Sequence, residues 1–479
     1  MRCYTCFFGC AILTILGLGR VSGQDWTQFR GANAGGLAAD SSKLPLEIGP
    51  ETNVSWKVDL PPGHSSPVVV QDRIYLTAVR DKRLYTLALS KKNGRLLWQR
   101  EAPAKQLEKT HAISSLAAST PAADGQVVVS FFGSCGLFCY DADGHQLWHK
   151  PLGPFRNEFG MASSPIIVND RVLINLDQDT GSCLWAFDKK TGKELWKVDR
   201  SEFPRGYATP IIWMVDGKPQ VVVPGTLRVI GYNLADGKEI WTVRGLARIA
   251  NMTPVIGPDN ILYLATWAPG ADANDRVRPA PFDEVLASHD KNKNGTLEAD
   301  EVRDIEALIS RFPQVDRDKD GHVSRTEYEG MRQIFEAAVN KVVAIKPGGK
   351  GDVTQTHVLW SHTKVIPYVP SPLHYQGCLF LIKNGGILNC LDAATGKPTK
   401  QERIGGTGDY YSSPVAGDGK VYLINQRGDL SVISGAADWR LLHRAKFGED
   451  VFATPAIVDG CIYLRTAGHL YCFALPKVQ

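Results

Sequence analysis

A Ser/Thr-Pro step followed by a short apolar run recurs eight times in this chain, with its proline at 67, 121, 165, 210, 254, 372, 414 and 455. Six of the seven intervals lie between 41 and 54 residues, and the seventh is 118. Internal repetition at this period confines a chain to repeat architectures, and about 40–45 residues is the length of a four-stranded propeller blade. Each unit reads alike. In the stretch from Ser163 to Val198, Ser-Pro opens a strand over Ile166–Val168, and Asn169-Asp170 turns into a second over Val172–Leu176. A glycine turn leads to a third over Cys183–Phe187, and Thr191-Gly192 turns into a last strand ending at Trp196.

The last turn has a physical reason. Gly94, Gly144, Gly192, Gly237 and Gly396 take a position where a left-handed backbone costs little. Trp98, Trp148, Trp196 and Trp241 follow four residues later, placed to pack over the neighbouring blade. Because the tryptophans are locked to the repeat, they read as blade-to-blade packing rather than as a sugar-stacking ladder. The final unit has three strands before the chain stops. Asn53–Leu60 supplies the fourth, with Trp56 as its docking tryptophan, so the N-terminal strand closes the ring and hides its edges. Eight blades are expected.

The long interval exceeds one period by about 75 residues. It opens after a strand over Ile261–Thr266 and closes at Lys341, and it holds two twelve-residue loops, Asp290–Glu301 and Asp316–Glu327. Calcium takes six to eight hard oxygens, and an EF-hand loop presents them at positions 1, 3, 5, 7, 9 and 12. Loop one offers Asp290, Asn292, Asn294, the Thr296 carbonyl, Glu298 and Glu301. Loop two offers Asp316, Asp318, Asp320, the His322 carbonyl, Ser324 and Glu327. Gly295 and Gly321 stand at position 6, where the loop turns sharply, and Leu297 and Val323 at position 8, where paired loops share a short strand. Val302, Ile305, Ile309 and Phe312 keep one helical face apolar, as do Met331, Ile334, Phe335 and Val339. Only fourteen residues separate the loops, and Pro313 should end or kink the helix entering the second. Two calcium ions are expected, without a calmodulin-like opening.

Charge separates the same module. Residues 283–340 carry 14 acidic and 8 basic residues in a chain of net +4, so an acidic insert sits in a mildly basic body. The basic residues form no run, which argues against nucleic acid as a partner. At the N-terminus, Arg2, an apolar run over Phe7–Leu18 and the small residues before Gln24 read as a secretory leader over 1–23. No stable membrane span is expected after its removal, and the mature chain is expected to be periplasmic or secreted. Seven cysteines follow the leader, without CxxC or zinc spacing. Cys378 with Cys390, and Cys461 with Cys472, flank equivalent hairpin turns. Opposed strand positions suit disulfide geometry poorly, so free thiols are expected.

Two motifs carry a resemblance. The stretch Ala186-Phe-Asp-Lys-Lys-Thr-Gly-Lys-Glu-Leu-Trp196 resembles the docking motif of PQQ-like, quinoprotein-type propellers, which include alcohol dehydrogenases and non-enzymatic BamB-like assembly proteins. The opening Trp26-Thr-Gln-Phe-Arg-Gly-Ala-Asn is similar to the start of BamB-like secreted proteins. The resemblance covers roughly residues 24–270 and 341–479 and implies a propeller; with the eight repeats and the two loops, the expectation is an all-β, eight-bladed β-propeller with a small α-helical EF-hand insertion, 271–340, in its fifth blade. It leaves function open. A quinone-dependent dehydrogenase of this kind normally carries an adjacent Cys-Cys pair, which this sequence lacks. PQQ is not expected, and no catalytic residue is assigned.

Residues just before each Ser/Thr-Pro step should line one mouth of the central channel: His64, Tyr207, Asn251, Tyr368, Tyr410 and Asp450, with Arg205, Arg248 and His111 nearby. A polar, aromatic mouth suits a protein or a small ligand. The expectation is an exported calcium-binding propeller acting as an interaction or ligand-binding platform. A quinone oxidoreductase or a polysaccharide-acting enzyme using the channel is the alternative.

Overall fold

The computed structural model describes residues 25–38, 43–272 and 275–476. The leader read over 1–23 lies outside them. Eight antiparallel sheets follow one another, each built like the third: Ile166–Val168, Arg171–Leu176, Cys183–Asp188 and Glu194–Asp199, hydrogen-bonded in that order. The eighth sheet joins the two ends of the chain. Its strands Ala456–Val458, Cys461–Arg465 and His469–Phe473 take Val54–Asp59 as their outer edge, with Trp56 opposite Cys472. The ring is thus an eight-bladed β-propeller closed by the N-terminal strand.

The Ser/Thr-Pro steps build the inner rim. The backbone N–H of Ser66 donates to the Thr120 hydroxyl, Thr120 to Ser164, Ser164 to Thr209, and Thr209 to Thr253. The chain of bonds runs on through Ser371, Ser413 and Thr454 and returns to Ser66, every distance lying between 2.9 and 3.2 Å. One hydroxyl per blade therefore satisfies a buried N–H of the blade before it. An unmet buried donor is costly, so the motif is a joint between blades rather than a simple strand opener.

The outer rim is held by tryptophan on glycine. A methyl group on Gly192 would sit 2.7 Å from the Trp148 ring, and Gly192 has φ +67°. Trp148 also donates through Nε1 to the Lys189 carbonyl at 2.8 Å. The same pairing joins Trp56 to Gly94, Trp98 to Gly144, Trp196 to Gly237 and Trp360 to Gly396. Trp241 departs from the expectation. Its indole turns back over Gly231 of its own blade, bonds Gln220 Oε1 at 2.7 Å and meets Trp213 edge-on at 5.6 Å. Gly351–Asp352, from the long outer loop of blade five, pairs in parallel with Trp241 and Thr242 and takes the place of the usual glycine turn.

Each strand residue facing a docking tryptophan is small: Ala88 faces Trp98, Cys139 faces Trp148, and Ala186 faces Trp196. Cys390 and Cys472 hold this same register position. Cys390 lies opposite Phe380 while Cys378 lies opposite Asp392, so these two cysteines are diagonal neighbours and not directly opposed as expected. Cys472 likewise faces Tyr463. All seven cysteines among the described residues are unbridged.

Two segments cover the ends of the channel. The N-terminal stretch crosses the ring on one side. Trp26 pairs with Val69 of blade one, and Asn33 exchanges two hydrogen bonds with Ile212 of blade four. Arg30 reaches the Pro372 and Pro414 carbonyls of blades six and seven. Gly31 fits beneath the Trp26 ring, where a methyl group would lie 2.6 Å from it. The excursion over residues 267–340 leaves blade five between Leu262–Thr266 and Lys341–Ile345, which still pair directly, Thr266 with Lys341. Asn340 pins its base by bonding both the N–H and the carbonyl of Ala268.

Candidate functional site

The channel mouth opposite the N-terminal segment is a cavity of about 780 Å³. Its floor holds hydroxyls of the inner ring, among them Ser66, Thr120 and Ser164, with Phe29 of the N-terminal segment below. Its wall comes from the residue two places before each ring hydroxyl: His64, Ala118, Ala162, Tyr207, Asn251, Val369, Tyr411 and Phe452 all line it. One register thus supplies one side chain per blade.

Of the expected mouth residues, His64, Tyr207, Asn251 and Tyr368 line this cavity, as do Arg205, Arg248 and His111. Tyr410 is fully buried inside its blade, and its neighbour Tyr411 faces the channel instead. Asp450 is exposed and outside the lining, and Phe452 takes that place. Counting back two residues from every Ser/Thr-Pro would have found Tyr411 and Phe452. Nothing in the sequence announces Phe29 or the insertion residues.

The wall is largely aromatic and held still. His64 stacks on Phe452 with centroids 3.9 Å apart. Burial, aided by the nearby Arg465 cation, pushes the His64 imidazole down to about 3, so it is neutral. The Tyr207 hydroxyl donates to Asn157 Oδ1 at 2.6 Å, and burial drives its ionisation well above the usual phenol range. Asn251 donates to the Tyr368 carbonyl, and Tyr368 lies edge-on to Trp267 at 4.5 Å. Neither His64 nor His111 hydrogen-bonds a carboxylate among the described residues.

The insertion roofs this mouth. Ala307, Ser310, Arg311 and Phe335 all reach the cavity. Arg205 donates to the Ser310 carbonyl at 3.0 Å, and Gln314 donates to Asp179 Oδ1 at 2.8 Å, which ties the insertion to blade three. Pro313 starts a single helical turn, Phe312–Val315, set off from the preceding turn Glu306–Ile309. The helix Arg325–Ala337 follows, opened by Ser324 and Glu327 capping each other.

The two twelve-residue loops sit side by side, joined by a short antiparallel pair in which Leu297 faces Val323 and Glu298 faces His322. Gly295 and Gly321 adopt φ +83° and +87° with open space around them, as the sharp turn requires. The two loops differ inside. In loop two, carboxylate oxygens of Asp316, Asp318 and Asp320 lie within 4.8 Å of one another. Asp316 is nearly buried, and its Oδ1 has no hydrogen-bond partner. Glu327 folds back to accept from the N–H groups of Arg317 and Ser324. In loop one, the amides of Asn292 and Asn294 both donate to Glu298 Oε1, and His322 Nδ1 lies 3.2 Å from the same oxygen.

The repeat pattern has known counterparts. A family model described as outer membrane protein assembly factor BamB matches residues 50–174 and 114–265. The chain is similar to that family through its propeller repeats. BamB from Moraxella catarrhalis is 12% identical and superposes with a TM-score of 0.55, over 88% of this chain and 99% of that one. The computationally designed Ika8 protein is 11% identical, with a TM-score of 0.53 over 88% of this chain and all of its own. A europium-containing methanol dehydrogenase is 11% identical with a TM-score of 0.49, over 94% of this chain and 98% of that one. No curated protein sequence matches this chain. Likeness at this identity speaks for the fold, which a designed protein shares, and not for activity.

Proposed function

We propose that this chain is an exported, calcium-binding β-propeller that serves as a binding platform, with the channel mouth beneath the insertion as its binding face. The observation that carries the calcium reading is Asp316 Oδ1, a buried carboxylate oxygen without a partner beside two further aspartates. Burying one unpaired carboxylate oxygen next to like charge is unfavourable unless a cation compensates it. Asp316, Asp318, Asp320, the His322 carbonyl, Ser324 and Glu327 supply the oxygens calcium prefers, at EF-hand spacing. Loop one has the same frame through Asp290, Asn292, Asn294, Thr296, Glu298 and Glu301, with less charge. Bound calcium would neutralise the carboxylates and tie Glu327, at the start of the Arg325–Ala337 helix, to Asp316 at the end of the preceding turn.

Two further lines support the platform reading. The leader-like pattern over 1–23 and the likeness to an outer membrane protein assembly factor both favour a place outside the cytoplasm. Among the described residues, no helix is long and apolar enough to cross a membrane. The cavity offers a large concave surface with aromatic walls, of the kind that receives ligands.

Removing residues 276–337 tests the reading. Thr266 and Lys341 remain paired, so blade five should close and the β-sheet signal in circular dichroism should persist. Calcium retained after equilibrium dialysis should fall from two ions per chain to none. Retention of calcium by the shortened chain would place the metal elsewhere and defeat the reading.

A further inference from the structure

The roof of the channel mouth brings two arginines together without a carboxylate for either. Arg248, from the segment after blade four, lies 4.4 Å from the centre of the Phe335 ring, and Arg311, from the insertion, lies 5.1 Å from it. Arg248 donates to the Pro269 carbonyl at 2.7 Å, and Arg311 to the Ala307 carbonyl. Neither is within ion-pair distance of a carboxylate among the described residues. Two acids share the cavity: Glu158, which with Asp179 pairs with Arg205, and Glu306, which is exposed and forms no ion pair with either arginine.

The two cations also work against each other. Arg248 is 8% exposed, and burial first, then Arg311 and Arg205, push its guanidinium down to about 9. Burial and Arg205 push Arg311 down as well, against the opposing pull of Glu158, Glu306 and Asp179. Arg248 is buried and Arg311 half-buried, both against one ring, and a cation withdrawn from water is costly unless an anion compensates it. Ordinary packing does not need this arrangement, since Phe335 could be covered by any apolar side chain. Both arginines line the channel cavity, and both also line an adjoining cleft of about 570 Å³ beside loop two. An anion that meets these two groups would reach them from the channel.

The rest of the cavity sets the remainder of the ligand. Phe159, Tyr207, Tyr368, Tyr411 and Phe452 give a wall of rings above the hydroxyl floor. Rings favour a flat apolar body, and a pair of guanidinium groups favours a planar oxyanion that accepts from both.

We propose that the channel mouth binds a carboxylate with an apolar, ring-sized body, its carboxylate held between Arg248 and Arg311 and its body against the aromatic wall. The insertion supplies half of the anion site, so the site is complete only when the insertion is docked. This inference rests on the reading of the mouth as the binding face.

Calorimetry on the intact chain with 2-naphthoate and its neutral counterpart 2-naphthamide tests it. Naphthoate should bind at least tenfold more tightly than naphthamide. Arg248→Gln and Arg311→Gln should each abolish that preference, while Arg311→Lys keeps part of it. Phe452→Ala should weaken both ligands alike. Inorganic phosphate alone should bind far more weakly than naphthoate, because it has no body for the wall. Equal affinity for the acid and the amide, no binding of either, or phosphate binding as tightly as naphthoate would overturn the proposal. The acid-to-amide ratio on the unaltered chain decides the matter even if an arginine variant fails to fold. Calcium binding measured on the same sample separates the two readings: calcium bound without naphthoate sinks this inference and leaves the metal site standing.

Discussion

The backbone N–H of Thr454 donates to the hydroxyl of Ser66 at 3.0 Å, across 388 residues of sequence. It is the bond that turns a row of eight joints into a closed ring, and it lies beside the join between the first and last blades. Replacing Ser66 with alanine leaves a buried N–H without an acceptor, a loss of about 1–3 kcal/mol. The melting temperature of Ser66→Ala should fall accordingly, and Ser66→Thr should hold close to the original because Thr120, Thr209, Thr253 and Thr454 do the same work in other blades. An unchanged melting temperature in Ser66→Ala would show that the ring of hydroxyls contributes little.

The outer joints predict a contrast between two glycines of similar backbone. Gly192 has φ +67° and the Trp148 ring 2.7 Å from an added methyl group, whereas Gly181 has φ +76° and open space. Gly181→Ala should cost only the left-handed backbone term, about 1–2 kcal/mol. Gly192→Ala should cost clearly more, because the indole must also leave its carbonyl partner. Chemical denaturation of both variants measures the difference, and equal losses would mean that Trp148 gives way freely.

Much of this architecture was legible in the sequence because periodic physics wrote it there. The Ser/Thr-Pro step is visible since every blade needs the same hydroxyl, and the glycine-to-tryptophan spacing since every blade docks the same way. The missing fourth strand could be placed at Asn53–Leu60 for the same reason. The mouth was harder. In the segment that leads into the seventh blade, one place separates buried Tyr410 from the channel-facing Tyr411, and no strand period marks which of the two faces in. Trp241 broke its pattern because a strand from a different blade fills its docking place, and no local signal marks such a distant partner. The position of the insertion over the mouth depends on single contacts such as Gln314 with Asp179, which leave no periodic trace.

A buried acid gives the pH prediction. Glu108 lies inside the propeller, where it accepts from the Met161 N–H, and burial pushes its carboxyl from an ordinary 4.5 up to about 8. The folded value is above the unfolded one, so the folded state binds this proton more tightly. Its contribution is fully present below about pH 4.5 and is lost as pH rises through about 8. Melting curves of the native chain should show this decline between those values, and Glu108→Gln should remove it. The same slope in Glu108→Gln would assign the decline to another group.

The account stands most directly on the two loops of the insertion. Loop two presents three aspartates and Glu327, with an unpartnered Asp316 oxygen, whereas loop one has spent Glu298 on two asparagine amides. Calcium should therefore fill loop two first, since more ligand charge favours the ion. Isothermal titration of the intact chain with calcium should give two unequal sites. Glu327→Gln should remove the tighter and Glu301→Gln the weaker, each by tenfold or more in affinity. No calcium heat in the unaltered chain, or loss of the tighter site through Glu301→Gln alone, would contradict the account.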